Sequence, residues 1–175
     1  MTGPGSTLAA APIIVTALFG KQDQAWFDAL RRAHYPSARN HLPAHLTMFH
    51  HLSPVLEPEL RQRLTAETRR VPPPQARIAG LIALGGGTAF RIQSAGLDDI
   101  RARLVDAFAP MLIPQDAVLW RPHVTVQNKV SAAQAKALFN ALDVDFRPRP
   151  VAIAGLAAWW YRGGPWEPLS RHMFG

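Results

Sequence analysis

Two short segments of the chain carry the residue types that proton-transfer chemistry needs. Both have the order histidine, apolar residue, threonine, apolar residue: HLTM begins at His45 and HVTV at His123. On a β-strand, residues two apart point to the same face, so His45 projects with Thr47 and His123 with Thr125. Near neutral pH a neutral imidazole can accept a proton and an imidazolium can donate one. Two such pairs facing each other would suit cleavage of a phosphodiester, with the threonine hydroxyls donating to phosphate oxygens.

A single histidine and threonine on one strand are a weak signal, because such pairs are common on packed and exposed strands alike. The stronger signal is repetition, since each motif follows a proline and lies in an alternating apolar pattern. Leu46 with Met48, and Val124 with Val126, are then expected to face the core. The pattern does not decide which histidine is the base and which the acid.

The histidine-rich segment HLPAHLTMFHH raises a metal site as an alternative. His41 and His45 are four residues apart, but Pro43 between them disfavours the helix that would bring them together. The chain has no cysteine and no His-Glu-x-x-His sequence. His50 and His51 are expected at the end of the strand or in the following loop. We therefore expect no metal, and because LGGGTAF lacks the Gly-Lys-[Ser/Thr] ending of a phosphate loop, no nucleotide cofactor.

The elements that must hold the motifs mix strands and helices without a regular β-α-β order. PIIVTALFG is typical of a buried first strand, ARIAGLIAL and TAFRIQ of a hairpin around GGG, and the stretch from PVAIAGLAAWW to WEPLS of a second hairpin. Apolar spacing predicts helices in QDQAWFDALRRAHY, EPELRQRLTAETRR, GLDDIRARLVDAFAP and SAAQAKALFNAL. All of VLWRPHVTVQ alternates like a strand. Together these patterns predict an α+β fold with antiparallel sheets.

The composition is that of a globular protein, with 48% apolar and 18% charged residues. Its 175 residues are enough for one domain with a hydrophobic core. A net charge of +7 favours anionic partners such as nucleic acid or nucleotides. No apolar run is long enough to cross a membrane, and the absence of cysteine fits a reducing compartment. We expect a cytoplasmic protein without a membrane partner.

Both motifs match the His-h-[Ser/Thr]-h hallmark (h, apolar) of the 2H phosphoesterases. The chain resembles their bacterial 2′-5′ RNA ligase-like branch, which includes RNA 2′,3′-cyclic phosphodiesterases, in the order of its elements from IIVTALFG to WWYRGGPWEPL. The resemblance implies a single bilobal domain over residues 1–175, with residues 1–10 as a flexible tail. Its two pseudo-symmetric lobes would have antiparallel sheets facing a central cleft and helices outside. One motif would lie on a central strand of each lobe.

By this match His45 and His123 are the catalytic pair, and Thr47 and Thr125 bind the substrate phosphate. The resemblance implies hydrolysis of a 2′,3′-cyclic phosphate, or of a 2′-5′ phosphodiester, at RNA ends or in nucleotides. It implies neither metal nor nucleotide cofactor, and for some members a reversible, ATP-independent 2′-5′ joining of RNA ends. A non-catalytic RNA- or nucleotide-binding module on the same fold is the alternative, but two intact His/Thr pairs favour the enzyme. We expect a monomer that acts on RNA ends or small nucleotides with a cyclic phosphate.

Two further assignments concern residues beside the motifs. Arg121 alternates in phase with His123 and Thr125, so it either adds positive charge to the phosphate site or lies on the surface. The aromatic residues of WWYRGGPW provide either a base-stacking surface, with Tyr161 and Trp166 as its candidates, or ordinary packing between elements.

Overall fold

The computed structural model describes residues 10–175. The flexible tail predicted for residues 1–10 lies outside this range except for Ala10. Within the described range the strands are β1 (Ile13–Phe19), β2 (Leu46–Leu52), β3 (Arg77–Ala83), β4 (Thr88–Gln93), β5 (His123–Gln127), β6 (Arg149–Pro150), β7 (Ile153–Trp160) and β8 (Glu167–Met173). The α-helices are α1 (Lys21–His34), α2 (Glu57–Thr68), α3 (Ala95–Phe108), the single turn α4 (Pro114–Ala117) and α5 (Ala132–Val144). The predicted α+β class is confirmed.

The strands form two four-stranded sheets, and every adjacent pair is antiparallel. The first sheet has the order β2-β1-β7-β8 and the second the order β5-β4-β3-β6. Each motif strand is therefore the outermost strand of its sheet, not a central one as the family resemblance implied. The two outer strands contact each other, so each is covered where an exposed edge would otherwise leave backbone groups unpaired.

The apolar faces predicted for the motif strands are confirmed. Leu46, Met48, Val124 and Val126 are all fully buried, and they belong to one hydrophobic cluster that contains residues of both sheets. Burying each such side chain contributes about 1.5–3 kcal/mol. This burial fixes which face of each strand points away from the core, and so fixes where the histidines and threonines project.

The helices predicted from apolar spacing are present. Phe27 of α1 is fully buried, with its ring centroid 4.9 Å from that of Phe19 and 6.1 Å from that of Phe90. Helix α5 begins with the predicted capping box, in which Ser131 accepts from the backbone N–H of Gln134 and the Gln134 side chain accepts in return. Within the described residues no helix has both the length and the apolarity that a membrane crossing requires.

The strand predicted over VLWRPHVTVQ is shorter than its alternation suggests. Only His123–Gln127 forms β5, whereas Val118 and Leu119 follow the turn of α4 and are exposed. The reason is that Pro114 starts a helical turn and Pro122 cannot donate to a strand ladder.

Candidate active site

The imidazole rings of both motifs are oriented by the backbone just before each strand. Nδ1 of His45 lies 2.9 Å from the carbonyl oxygen of Pro43, and Nδ1 of His123 lies 2.7 Å from that of Arg121. A carbonyl oxygen can only accept, so each Nδ1 carries the proton and donates it. Each Nε2 is then the basic nitrogen, and neither Nε2 has a hydrogen-bond partner among the described residues. Both rings therefore present the atom that general acid/base chemistry needs.

Two cavities adjoin these rings, and each is lined by one histidine and by the threonine of the other motif. The His45 cavity, of about 650 Å³, is lined by His45 and Thr125. The His123 cavity, of about 420 Å³, is lined by His123 and Thr47. Although the two motifs are far apart in sequence, the structure brings their four predicted residues from both sheets around neighbouring cavities. The predicted site lies where the outer strands of the two sheets meet.

Two side-chain hydrogen bonds tie the motif strands to segments outside their own sheets. Arg31, on α1, donates from Nη1 to the carbonyl oxygen of Thr125 on β5 at 3.0 Å. Trp120, in the segment before β5, donates from Nε1 to the carbonyl oxygen of Thr47 on β2 at 3.0 Å. The bond from Arg31 holds β5 against α1, and the bond from Trp120 joins the segment before the HVTV motif to the strand of the HLTM motif.

Trp166 covers one side of His45. It lies in the loop between β7 and β8, and its ring centroid is 4.7 Å from that of His45. Behind them is a smaller pocket of about 150 Å³, lined among others by Trp159, whose Nε1 donates to the hydroxyl of Thr16 at 2.9 Å. The aromatic residues of this segment therefore both pack against neighbouring strands, as Trp159 does, and form walls of the cavities, as Trp166 does.

The surroundings keep His45 uncharged. Burial, which disfavours the imidazolium, lowers the pKa of His45 to about 4, although the hydrogen bond to Pro43 opposes this change. The positive charges of Arg31, His123 and His50 lower the pKa further. At neutral pH His45 is thus a neutral imidazole whose Nε2 can accept a proton.

Three further histidines line the His45 cavity, namely His41, His50 and His51, and of these only His50 also lines the His123 cavity. An irregularity of β2 determines its position. The pairing with β1 shifts between Thr16 and Ile13, so that Met48 and Phe49 are both buried and His50 and His51 after them are both exposed. His50 consequently faces away from the core and lines both cavities. Regular alternation would have placed Phe49 beside Thr47 and sent His50 into the core.

His50 is bound to a buried carboxylate. Asp116 of α4 has a fully buried side chain, and its Oδ1 accepts from the backbone N–H of His50 at 2.8 Å and from Nδ1 of the same residue at 3.1 Å. Its Oδ2 accepts from the backbone N–H of His51 at 2.9 Å. Burial raises the pKa of Asp116, but these hydrogen bonds lower it by more, and the resulting pKa is below the ordinary value. Asp116 is therefore ionised at neutral pH.

Arg101 joins the same network from α3. Its Nε donates to the carbonyl oxygen of Met48 at 2.9 Å, and its Nη2 donates to that of Asp116 at 2.8 Å. The guanidinium lies 4.9 Å from the ring centroid of Phe49 and 5.6 Å from that of Trp120. Arg101 thus holds the irregular part of β2 against α4.

The remaining predicted residues lie beside these cavities. Arg121 is exposed and lines the His123 cavity, and Tyr161 is 43% exposed and lines the His45 cavity together with Trp166. In the part of the chain that is described, no group of three or more histidine and acidic side chains converges as a metal site would require. A larger groove of about 850 Å³ lies away from the motifs, and its Arg77 and Arg149 are bonded to Gln93 and Asp23.

Sequence reasoning missed Arg31, His50, Asp116 and Arg101. For Arg31 a signal existed, because it is four residues after Phe27 on the buried face of α1, and a charged residue there needs a partner. Asp116 lies in a turn without any recognisable pattern, and the position of His50 depends on a strand irregularity that alternation cannot predict.

The family model of the 2′-5′ RNA ligase superfamily matches residues 19–165. No curated protein matches the sequence significantly. Among solved structures, TT0787 of Thermus thermophilus superposes with a TM-score of 0.64 at 15% identity, covering 93% of this chain and 97% of that one. E. coli LigT complexed with 3′-AMP superposes with a TM-score of 0.59 at 17% identity, covering 94% and 98%. E. coli LigT has also been solved with NADP+, and that structure superposes with a TM-score of 0.57 at 17% identity, again covering 94% and 98%.

Proposed function

Because this chain belongs to the 2′-5′ RNA ligase superfamily of 2H phosphoesterases, we propose that it is a metal-independent phosphodiesterase that hydrolyses 2′,3′-cyclic phosphates at RNA ends or in small nucleotides. The observation that supports this most directly is the matching orientation of His45 and His123. Each ring has its Nδ1–H bonded to backbone and its Nε2 available. Two imidazoles can supply both proton transfers of the reaction, so the chemistry requires no metal.

The pKa of His45 assigns the two roles in this proposal. His45 is neutral at pH 7, so it acts as the base and takes a proton from the attacking water on Nε2. The water oxygen bonds to phosphorus, the bond from phosphorus to the ribose 2′ or 3′ oxygen breaks, and His123 gives its Nε2 proton to the leaving oxygen. A base with a pKa of about 4 is weak, but a bound phosphate anion beside it favours the imidazolium and raises its pKa toward neutrality.

The other motif residues hold the phosphate in this proposal. Thr47 and Thr125 lie two residues after the histidines, on opposite sides of the reacting group, and donate from their hydroxyls to the non-bridging oxygens. Arg121, at the rim of the His123 cavity, adds positive charge for the phosphate. Tyr161 and Trp166, in the wall of the His45 cavity, supply aromatic faces for a nucleobase.

The choice of substrate class also rests on charge. Among the described residues no aspartate or glutamate lines either cavity, whereas Arg31, Arg39 and Arg121 do, which suits an anionic ligand. The fold neighbour E. coli LigT was solved with 3′-AMP and with NADP+, both of which are nucleotides. With the 5′-hydroxyl of a second RNA end in place of the attacking water, the same two proton transfers would form a 2′-5′ linkage without ATP. The reverse of that reaction would cleave the linkage.

The test is hydrolysis of the four nucleoside 2′,3′-cyclic monophosphates and of a short RNA that ends in a cyclic phosphate, with EDTA present. Wild type is compared with His45→Ala, His123→Ala and the double variant. We expect turnover by wild type and a loss of roughly 10²–10⁴-fold in each single variant. The double variant should lose little more, because the histidines act as a unit. Turnover retained by the double variant would refute the two-histidine mechanism, and a folded wild type that binds nucleotides without turnover would identify a binding module.

A further inference from the structure

His50 lies in the site, but the two-histidine mechanism gives it no role. A phosphorus atom reached by both His45 and His123 must lie where the His45 and His123 cavities adjoin. His50 and Gln115 line both cavities, so they border that junction. The His50 side chain is 42% exposed despite its hydrogen bonds, which leaves one edge of the ring open to a ligand.

The bond to Asp116 determines which edge is open. Asp116 is ionised and fully buried, so its carboxylate can only accept, and Nδ1 of His50 must carry the donated proton. Nε2 is then the free nitrogen of the ring. This is the arrangement in which a buried carboxylate fixes the orientation and tautomer of a histidine and compensates the charge of its imidazolium.

A purely structural account explains only part of this contact. The two backbone N–H groups of His50 and His51 already bind both oxygens of Asp116 and hold the end of β2. Anchoring the strand therefore does not require an imidazole at position 50. A third, longer contact to Nδ1 at 3.1 Å is added to a carboxylate that the backbone has already positioned.

We propose that His50, held as an imidazolium between Asp116 and the substrate phosphate, is a third catalytic residue that contacts the reacting phosphate and donates an Nε2–H hydrogen bond to one of its non-bridging oxygens. This inference rests on the proposed function. Negative charge accumulates on those oxygens as the attacking oxygen bonds to phosphorus, so a donor at this place stabilises the transition state more than the bound substrate. The proton stays on His50 throughout, and no bond to it forms or breaks.

The experiment measures kcat and KM for His50→Ala, His50→Gln and Asp116→Asn on the best cyclic phosphate. His172→Ala is the matched control, because it also removes an imidazole, but one that lies on β8 outside both cavities and bonds to Thr65 and Ser170. We expect His50→Ala to lower kcat roughly 10²–10³-fold with little change in KM or Tm. His50→Gln keeps a donor without the charge and should lose less. Asp116→Asn should also lower kcat, and combining it with His50→Ala should cost less than the product of the two losses.

An unchanged kcat in His50→Ala, or an equal loss in His172→Ala, would overturn the inference. Failure of the proposed function is recognised separately, since wild type would then turn over none of the cyclic phosphates. In that case the probe is inorganic phosphate, with binding measured by calorimetry. Inorganic phosphate carries, as a dianion, the additional negative charge that the cyclic substrate gains only in the transition state, so His50→Ala should weaken its binding roughly tenfold while His172→Ala leaves it unchanged. Equal affinity in wild type and His50→Ala, or no phosphate binding by wild type, would also overturn the role of His50.

Discussion

The rings of His45 and His123 are held by the same bond on two different sheets, from Nδ1 to the carbonyl oxygen two residues earlier. The two bonds have similar lengths, 2.9 Å at Pro43 and 2.7 Å at Arg121. Each bond lies just before the strand, where the backbone is not yet paired and its carbonyl is free to accept. The repeated motif thus specifies the orientation of its histidine as well as its identity.

The first prediction concerns pH. A base must be deprotonated to act, so kcat/KM falls as the pH drops through the pKa of His45 in the free enzyme. Since burial and neighbouring cations lower that pKa to about 4, the acid limb of kcat/KM should lie near pH 4, well below the 6.5 of an ordinary histidine. The acid limb of kcat should lie at higher pH, because bound phosphate favours the imidazolium. Steady-state kinetics from about pH 3.5 to about pH 9 on a cyclic nucleotide measure both limbs.

An acid limb of kcat/KM near pH 6.5, the ordinary pKa of histidine, would show that His45 is not the base of the free enzyme or that its surroundings do not lower its pKa. In the first case the roles would reverse, with His123 as the base. The acid limb of kcat/KM should be unchanged in His172→Gln. His172 lies on β8, bonds to Thr65 and Ser170, and lines neither cavity.

The second prediction concerns the threonine hydroxyls. Thr47→Val and Thr125→Val keep the shape of the side chain and remove the donor to the phosphate. Each should lower kcat/KM roughly 10- to 100-fold, the cost of one hydrogen bond to a charged group. Thr47→Ser and Thr125→Ser should recover most of the activity. Thr65→Val, on the exposed face of α2, is the matched control and should retain full kcat/KM. Equal kcat/KM in all three valine variants would show that Thr47 and Thr125 do not bind the phosphate.

The sequence predicted the four motif residues because local spacing and burial determine them. The period of two along each strand places His45 with Thr47 and His123 with Thr125, and the core then fixes the face. His50 could not be predicted in this way, since the register shift against β1 places two consecutive residues, Met48 and Phe49, in the core.

The rest of the site depends on contacts between distant segments. Asp116 binds His50 from 66 residues away, and Arg31 binds Thr125 from 94 residues away. Neither contact produces a periodic pattern by which a single sequence could predict it. The antiparallel α+β class was predictable from hairpins and helix spacing, but the outer position of both motif strands was not, because strand order is set by how the sheets assemble.

The third prediction concerns Trp166. Its ring covers His45 and contributes to the burial that disfavours the imidazolium. Trp166→Ala should therefore raise the pKa of His45 and move the acid limb of kcat/KM toward the ordinary histidine value, whereas Trp166→Phe should leave it near that of wild type. The pKa can be followed directly by NMR titration of the His45 ring protons. If the acid limb of kcat/KM is unchanged in Trp166→Ala, then other residues of the cavity wall lower the pKa of His45.

The fourth prediction concerns the hydrogen bond from Trp120, in the segment before β5, to Thr47 on β2. Trp120→Phe keeps an aromatic ring and removes the N–H that donates to the Thr47 carbonyl oxygen. We expect a loss of about 1 kcal/mol in the free energy of unfolding. We also expect a several-fold loss of kcat, since β2 is no longer held against the segment that leads to His123. Trp26→Phe is the control, because Trp26 packs against Phe27 and Phe90 without contacting either motif. An equal loss of kcat in the control would assign the effect to general packing.

The fifth prediction concerns Gly87, at the turn that leads into β4. A Cβ at this position would overlap the backbone of Gln127, the last residue of β5 and two residues beyond Thr125. Backbone cannot move aside as a flexible side chain can, so Gly87→Ala must push the end of β5 away from β4. We expect a loss of about 3 kcal/mol in unfolding free energy, measured by urea denaturation. Any folded fraction should lose kcat roughly 10²-fold, because the HVTV motif shifts with its strand.

Gly164→Ala is the matched control for stability, since a Cβ there meets no atom within 4 Å. Its unfolding free energy should stay within about 0.5 kcal/mol of wild type. If Gly87→Ala were as stable as Gly164→Ala, the close approach of the β4 turn to Gln127 would not be what sets the position of β5.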